Sequence, residues 1–171
     1  ATLLAVVKTS KTVVMLDLTL PDQRLRRILE DAQTEAILFD EALTERANAL
    51  TQITLPISTP SIEENKPIQH ICVNLLPTST PTHNPSIVYV MDTPLAIIYT
   101  SGSSGQPQGV VRSHKAQMQG LWANQQQYQT KNNVNWAVTS SLAYAAAWAM
   151  TMRSLVSAGC IHYYDAASKS T

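Results

Sequence analysis

The stretch Tyr99-Thr100-Ser101-Gly102-Ser103-Ser104-Gly105-Gln106-Pro107-Gln108-Gly109-Val110 sets three glycines among four aliphatic hydroxyls. Glycine reaches positive φ and tolerates close approach, so successive N–H groups can turn into one concavity, with the hydroxyls as further donors. Such a lining suits an anion, and polyphosphate is its natural guest. Glycine and serine content alone points first to an idle flexible turn, so order and surroundings decide. The apolar run Leu95 to Tyr99 enters the loop as a strand, and Val110 and Val111 resume a strand pattern after Gly109. The loop therefore joins strand to strand. No Gly-Lys-Ser/Thr follows at the required spacing and no helix comes directly next, which excludes the P-loop of the common NTPases.

Outward from this loop, short apolar runs alternate with amphipathic ones. Ala1 to Lys8 lacks a capping signal and predicts a helix entered partway, and Thr12 to Leu16 predicts a buried strand. Thr19 and Asp22 have capping-box spacing, with Pro21 near the first helical position. In the helix that follows, Leu25, Ile28, Leu29 and Ala32 form an apolar face, and Arg24, Arg26, Arg27, Glu30 and Asp31 occupy much of the rest. Ala36 to Phe39 predicts a strand, Ala42 to Leu50 a short helix and Ile68 to Leu75 another strand. The Pro-containing stretches at about 56–67 and 77–85 predict surface loops. Beyond the glycine-rich loop, Ser113 is placed to cap a helix through about Tyr128, with Met118, Leu121 and Trp122 inward and a row of Gln facing water. Asn132 and Asn133 mark a turn, and Asn135 to Val138 and Cys160 to Tyr164 predict strands. Between those strands, Tyr144 to Val156 predicts a helix with Trp148, Met152, Leu155 and Val156 on one face, ended by Gly159. This alternation specifies a layered α/β domain, a largely parallel sheet with flanking helices.

With zero formal net charge and no run of Lys or Arg, the chain lacks the electrostatic footprint that a nucleic-acid backbone or an anionic membrane requires. A small-molecule ligand is expected instead. Cys72 and Cys160 stand far apart, with no C-x-x-C pair and no metal-ligand grouping nearby, and are expected to be small buried hydrophobes without a metal. The apolar run Ala1 to Val7 has no basic leader and is too short to cross a bilayer, which makes the cytoplasm the default location.

In order and composition the loop resembles the phosphate-loop signature of adenylate-forming enzymes, Y-T-S-G-S/T-T-G-x-P-K-G-V. That group comprises the acyl-CoA synthetases, the luciferases and the adenylation domains of nonribosomal peptide synthetases. Two flanking regions agree. Lys8 to Asp17, followed by Pro21, Arg24-Leu25 and Ile28 to Ala32, is similar to the family's K-A-G-x-x-Y-V-P-L-D-P and P-x-x-R-L-x-x-I-L-E-D-A. Ser140 to Asp165 resembles the helix and strand that line the acyl pocket. The resemblance spans nearly all of residues 1–171 and covers the middle of the family's larger N-terminal domain, so the fold it implies is part of that domain. It implies that Thr100, Ser101, Gly102, Ser103, Ser104, Gly105, Gln108 and Gly109 hold the β- and γ-phosphates of ATP with Mg2+, while a small carboxylic acid is activated as its acyl-adenylate. A thiol then accepts the acyl group, either coenzyme A or a carrier-protein phosphopantetheine. It also implies that Tyr144, Ala145 and Trp148 line the acid's pocket, with packing in the core as the alternative for this helix.

Departures from the family pattern are informative. Gln108 stands where the signature has Lys, which removes a positive charge from the phosphates. Ser10, Met15 and Leu18 replace a Gly and two Pro. Anchored on Trp148, residues Ala143 to Ala146 lie opposite the F-D-x-S of amino-acid-activating domains, and no carboxylate answers that Asp. An unpaired buried ammonium is costly, so the expected acid carries no such charge. No residue is assigned as general base: His114 beside the loop is expected to be structural, and His70, His83 and His162 show no partners in the sequence. The residues resembling the family's adenine and ribose contacts, hinge and catalytic Lys are not found before Thr171. Two readings follow, a section of an active ligase and a catalytically silent remnant that at most binds phosphate or a partner.

Overall fold

The computed structural model describes residues 1–51, 67–77, 79–101, 106–128 and 133–164. Helix α1 (Thr2–Lys8) leads to β1 (Val13–Val14), α2 (Asp22–Asp31), β2 (Ala36–Phe39), α3 (Thr44–Thr51) and β3 (Gln69–Cys72). The strands β4 (Pro94–Ser101) and β5 (Pro107–Ser113) bracket the loop and are followed by α4 (His114–Tyr128), β6 (Asn135–Val138), α5 (Ala145–Val156) and β7 (Cys160–Tyr163). Parallel pairings join β1 to β4, β2 to β3 and β6 to β7, while β4 and β5 run antiparallel. The α/β layering and mainly parallel pairing expected from the sequence are present. Among the described residues the strands form three small sheets, not one.

The main core collects Val13, Leu95, Ala96 and Ile98 from the β1–β4–β5 sheet, with Leu121 of α4 and Trp148 and Met152 of α5. A second cluster of Leu25, Leu29 and Leu50 joins α2 to α3. Arg46 reinforces that joint, since its guanidinium donates to Asp22 Oδ1 at 2.8 Å and to the carbonyls of Leu18 and Leu20. This explains why no capping box forms at α2. Asp22 is taken by Arg46, and the Thr19 hydroxyl donates to Asp17 at 2.7 Å, leaving Pro21 as the residue before the helix.

Three helices end on a residue in the left-handed region, Ser10 after α1 (φ 57°), Gln33 after α2 (φ 48°) and Ala158 after α5 (φ 51°). At α2 the amide of Thr34 reaches the Leu29 carbonyl at 3.0 Å and at α5 the amide of Gly159 reaches that of Ser154 at 2.9 Å, the six-to-one bond of a Schellman turn. Gly159 was expected to end α5; the left-handed position belongs to Ala158. Gly159 answers a different need, because a Cβ there would lie 2.4 Å from the Val134 carbonyl oxygen.

Other expectations are corrected by layer position. Only Val13 and Val14 of the Thr12–Leu16 run pair as a strand, and Ile68–Leu75 divides into β3 and a single 3-10 turn, Val73–Leu75. On α4, Leu121 is buried, but Met118 and Trp122 are 52% and 67% exposed, and Gln117 is the buried member of the Gln row. The inward side of α5 is Ala147, Trp148, Thr151, Met152 and Ser154, with Leu155 and Val156 exposed. Cys72 is half-buried and Cys160 exposed, both as free thiols. The expected loop at 56–67 lies almost wholly outside the described residues, as do Thr78 and Asn132, while the described part of 77–85 carries no helix or strand. No helix among the described residues is long and apolar enough to cross a membrane.

Candidate functional site

The glycine-rich loop sits at the tip of the β4–β5 hairpin. Its stems are in register as Tyr99 with Gly109, Thr100 with Gln108 and Ser101 with Pro107. Gly102, Ser103, Ser104 and Gly105 lie outside the described residues. Thr100 and Gln108 are exposed, and the Thr100 hydroxyl points toward the Gln108 carbonyl at 3.5 Å. The expected strand-to-strand path is thus present, with both stems at the surface.

Gly109 has a steric reason. A Cβ on it would lie 2.9 Å from Ile97 Cγ2 and 3.1 Å from Tyr99 Cζ, so its absence lets the Tyr99 ring lie across the partner strand. The ring then reaches α2, where the Tyr99 hydroxyl donates to Asp31 Oδ2 at 2.5 Å. Burial pushes the Tyr99 phenol above its usual range, and the hydrogen bond to Asp31 and the charge of that carboxylate push it further. At the other stem Arg27 Nη1 donates to Gln106 Oε1 at 3.1 Å. No sequence motif marks these contacts, although Arg27 and Asp31 share a face of α2 by their spacing.

Asp17 is a second group that the sequence did not single out. It is 6% exposed, three residues past the end of β1. Burial raises its carboxyl, but the Thr19 amide and hydroxyl donate to its Oδ1 at 3.0 and 2.7 Å, and with the polar side chains of Tyr144 and Ser141 also acting on it the net result lies below the ordinary carboxylate range. Asp17 thus fixes the turn between β1 and α2.

The three residues expected to line the acid's pocket separate by depth. Tyr144 and Ala145 are exposed at the start of α5, whereas Trp148 is 1% exposed in the main core, with its Nε1 donating to Gln117 Oε1 at 2.9 Å. The alternative of core packing thus describes Trp148. His114 packs its ring 5.6 Å from that of Tyr89, and its buried Nε2 has no hydrogen-bond partner. His70, for which no partner was evident in the sequence, shares a 2.7 Å hydrogen bond with Thr51 and stands edge-on to Phe39. Among the described residues no three His, Cys, Asp or Glu side chains gather to hold a metal.

The layered α/β fold and the strand-to-strand path of the glycine-rich loop agree with one family of proteins. The AMP-binding enzyme family matches residues 1–171, and the chain belongs to it. Among curated relatives, it is 28% identical over 159 residues to a nonribosomal peptide synthetase of Aspergillus campestris, covering 92% of this chain and 2% of that protein. It is 35% identical over 122 residues to HC-toxin synthetase of Cochliobolus carbonum, covering 71% of this chain and 2% of that protein. The chain thus spans about 2% of the length of these two synthetases.

Its fold is that of the N-terminal domain of adenylate-forming enzymes. The N-terminal domain of FACL13 from Mycobacterium tuberculosis superposes with a TM-score of 0.77 at 18% identity, over 94% of this chain and 40% of that one. The o-succinylbenzoate coenzyme A synthetase of Bacillus subtilis, in complex with ATP and magnesium ion, gives a TM-score of 0.74 at 15% identity, over 98% and 42%.

Proposed function

We propose that residues 1–171 are the phosphate-loop section of a ligase that activates a small carboxylic acid with ATP. The carrying observation is the loop at the tip of the β4–β5 hairpin, Thr100 to Gly109, in a chain of the AMP-binding enzyme family. Its donors are backbone amides, hydroxyls and the Gln108 carboxamide, and no acidic side chain lies between Tyr99 and Val110. That set fits a phosphate chain. Thr100, Ser101, Gly102, Ser103, Ser104, Gly105, Gln108 and Gly109 would hold the β- and γ-phosphates. Bound ATP with Mg2+ supplies the adenylyl group that the substrate carboxylate takes up at the α-phosphorus as pyrophosphate leaves. The loop's part is to position and neutralise, the role in which preorganised donors act most strongly. The acyl-adenylate then passes its acyl group to a thiol, coenzyme A or a carrier-protein phosphopantetheine.

Tyr144 and Ala145 are the proposed surface for the acid, with Trp148 beneath them. Ala143 to Ala146 carry no carboxylate, and an unpaired buried ammonium is costly, which favours acids without an amino group.

Gln108 supports a second reading. The uncharged side chain removes a contact that would be worth up to about 4 kcal/mol at surface-like dielectric and less on a hydrated loop. A chain so altered could bind nucleotide without turning it over. Pyrophosphate–ATP exchange with a panel of carboxylic acids separates the two. Exchange with an acid lacking an amino group supports the ligase, and nucleotide binding without exchange supports the silent reading. Gln108→Lys is expected to tighten a fluorescent ATP analogue about tenfold, a third of the ideal contact; unchanged affinity removes the phosphate role of position 108.

A further inference from the structure

Arg27 and Asp31 are exposed on α2, outside its buried stripe of Leu25, Ile28 and Leu29, and their four-residue spacing places them one turn apart on one face. Each reaches a different stem of the loop hairpin. Asp31 Oδ2 accepts from the Tyr99 hydroxyl at 2.5 Å, two residues before β4 ends, and Arg27 Nη1 donates to Gln106 Oε1 at 3.1 Å, one residue before β5 begins. Between the contacts lies a crevice of about 470 Å³ lined by Arg27, Glu30, Asp31, Gln106 and Pro107.

The hairpin needs such a hold. Among the described residues strand β5 is the edge of its sheet, and Val110 and Val111 are more than half exposed, so little apolar burial fixes this outer stem. Backbone register aligns the stems with each other but leaves the twist of a two-stranded ribbon free to vary. Two contacts from one rigid helix remove that freedom. Gly109 favours the arrangement, because a Cβ there would crowd the Tyr99 ring at 3.1 Å and Ile97 Cγ2 at 2.9 Å.

We propose that α2 is the seat of the phosphate loop, with Arg27 and Asp31 as positioning residues that orient the hairpin tip through Gln106 and Tyr99 without touching the nucleotide. The proposal deepens the function proposed above and rests on it for the identity of the ligand.

Its test has two arms. In the first, hydrogen exchange is followed at the backbone amides of Thr100, Gln108 and Gly109 in the chain of residues 1–171, with no nucleotide present. Asp31→Ala and Tyr99→Phe are each expected to speed exchange about tenfold, the double variant no more than either single one, as for two halves of one contact. Asp31→Asn keeps an acceptor oxygen and should restore most of the protection. An unchanged melting temperature in all four variants shows that the fold is intact. Unchanged stem exchange, or additive effects, overturns the clamp.

The second arm measures affinity for Mg-ATP and, in the polypeptide that carries this chain, the KM of each substrate. Asp31→Ala is expected to raise the KM for ATP about five- to tenfold, the worth of one ordinary hydrogen bond because the contact acts on the phosphates only through the hairpin, and to leave the KM for the acid unchanged. Equal rises in both overturn the positioning role. A wild-type protein that binds no nucleotide sinks the proposed function, while the exchange arm still decides whether α2 holds the hairpin.

Discussion

Strands β1 and β5 flank β4 on opposite sides and are held to it by different forces. β1 contributes two paired residues, Val13 with Ala96 and Val14 with Ile97. Val13 is nonetheless buried in the main core, and the chain beyond it is fixed by Asp17. The register of β5 runs through seven pairs, yet Val110 and Val111 are 55% and 59% exposed. Ladder length and burial are thus independent. A fully buried Val contributes about 1.5–3 kcal/mol, against about 0.5–1.5 kcal/mol net for a typical hydrogen bond. The short strand is held by displaced water, and the long one by its ladder and its tether to α2.

Substitutions on the two flanks put this contrast at risk. Val13→Ala removes buried methyls from the tighter side and should cost about 2–3 kcal/mol in urea unfolding; a loss no larger than at an exposed valine would dissolve the distinction. Asp17→Ala, three residues past the end of β1, should cost about 1–2 kcal/mol at neutral pH. Because the folded carboxyl lies below its ordinary range, that contribution is complete above about pH 4–5 and lost as pH falls through the folded value. The gap between wild type and Asp17→Ala should therefore narrow at pH 3, and an equal gap at pH 3 and pH 7 would show that the charge is not involved.

Ser10→Gly acts on the turn that feeds β1. A left-handed non-glycine residue costs about 1–2 kcal/mol, and glycine gives back about 0.4–1 kcal/mol through the unfolded chain. The net expectation is a stabilisation of about 0.5–1 kcal/mol, read as a rise in melting temperature; a fall would mean that Ser10 makes a compensating contact. Smallest of all, Val111→Ala on the outer strand should change stability by less than about 0.5 kcal/mol. A larger loss would reveal apolar packing on a flank whose visible ties are polar contacts.

Much of the architecture was legible because it follows from local pattern. The boundaries of β2 and β6, the apolar face of α2, and the loop's strand-to-strand path all came from periodicity and from where glycine and proline fall. The errors share a cause. Met118, Trp122, Leu155 and Val156 are apolar and correctly spaced, but whether a helix face is covered depends on which layer meets it, and periodicity does not say. Gln117 went the other way: its amide is buried because Trp148 brings an N–H that must be satisfied, a pairing of residues 31 positions apart. The capping box at α2 failed for a related reason, since Asp22 had a better partner in Arg46, on α3. At the site, the glycine-rich loop stood out by the order of its residues and by the strands on either side of it, not by composition alone. Asp17, Arg27 and Asp31 were not, because their meaning lies in long-range contacts.

The Gln117 side chain carries one further consequence. Its Oε1 accepts from Trp148 on α5 and, at 3.3 Å, from Arg112 on β5, so one amide oxygen ties two helices to the strand that leaves the phosphate loop. An engineer testing the proposed acid surface would be drawn to the indole at 148, yet any replacement there also releases Gln117 and slackens the grip on Arg112. Diversity libraries should therefore vary positions 144 and 145 and leave 148 as it stands.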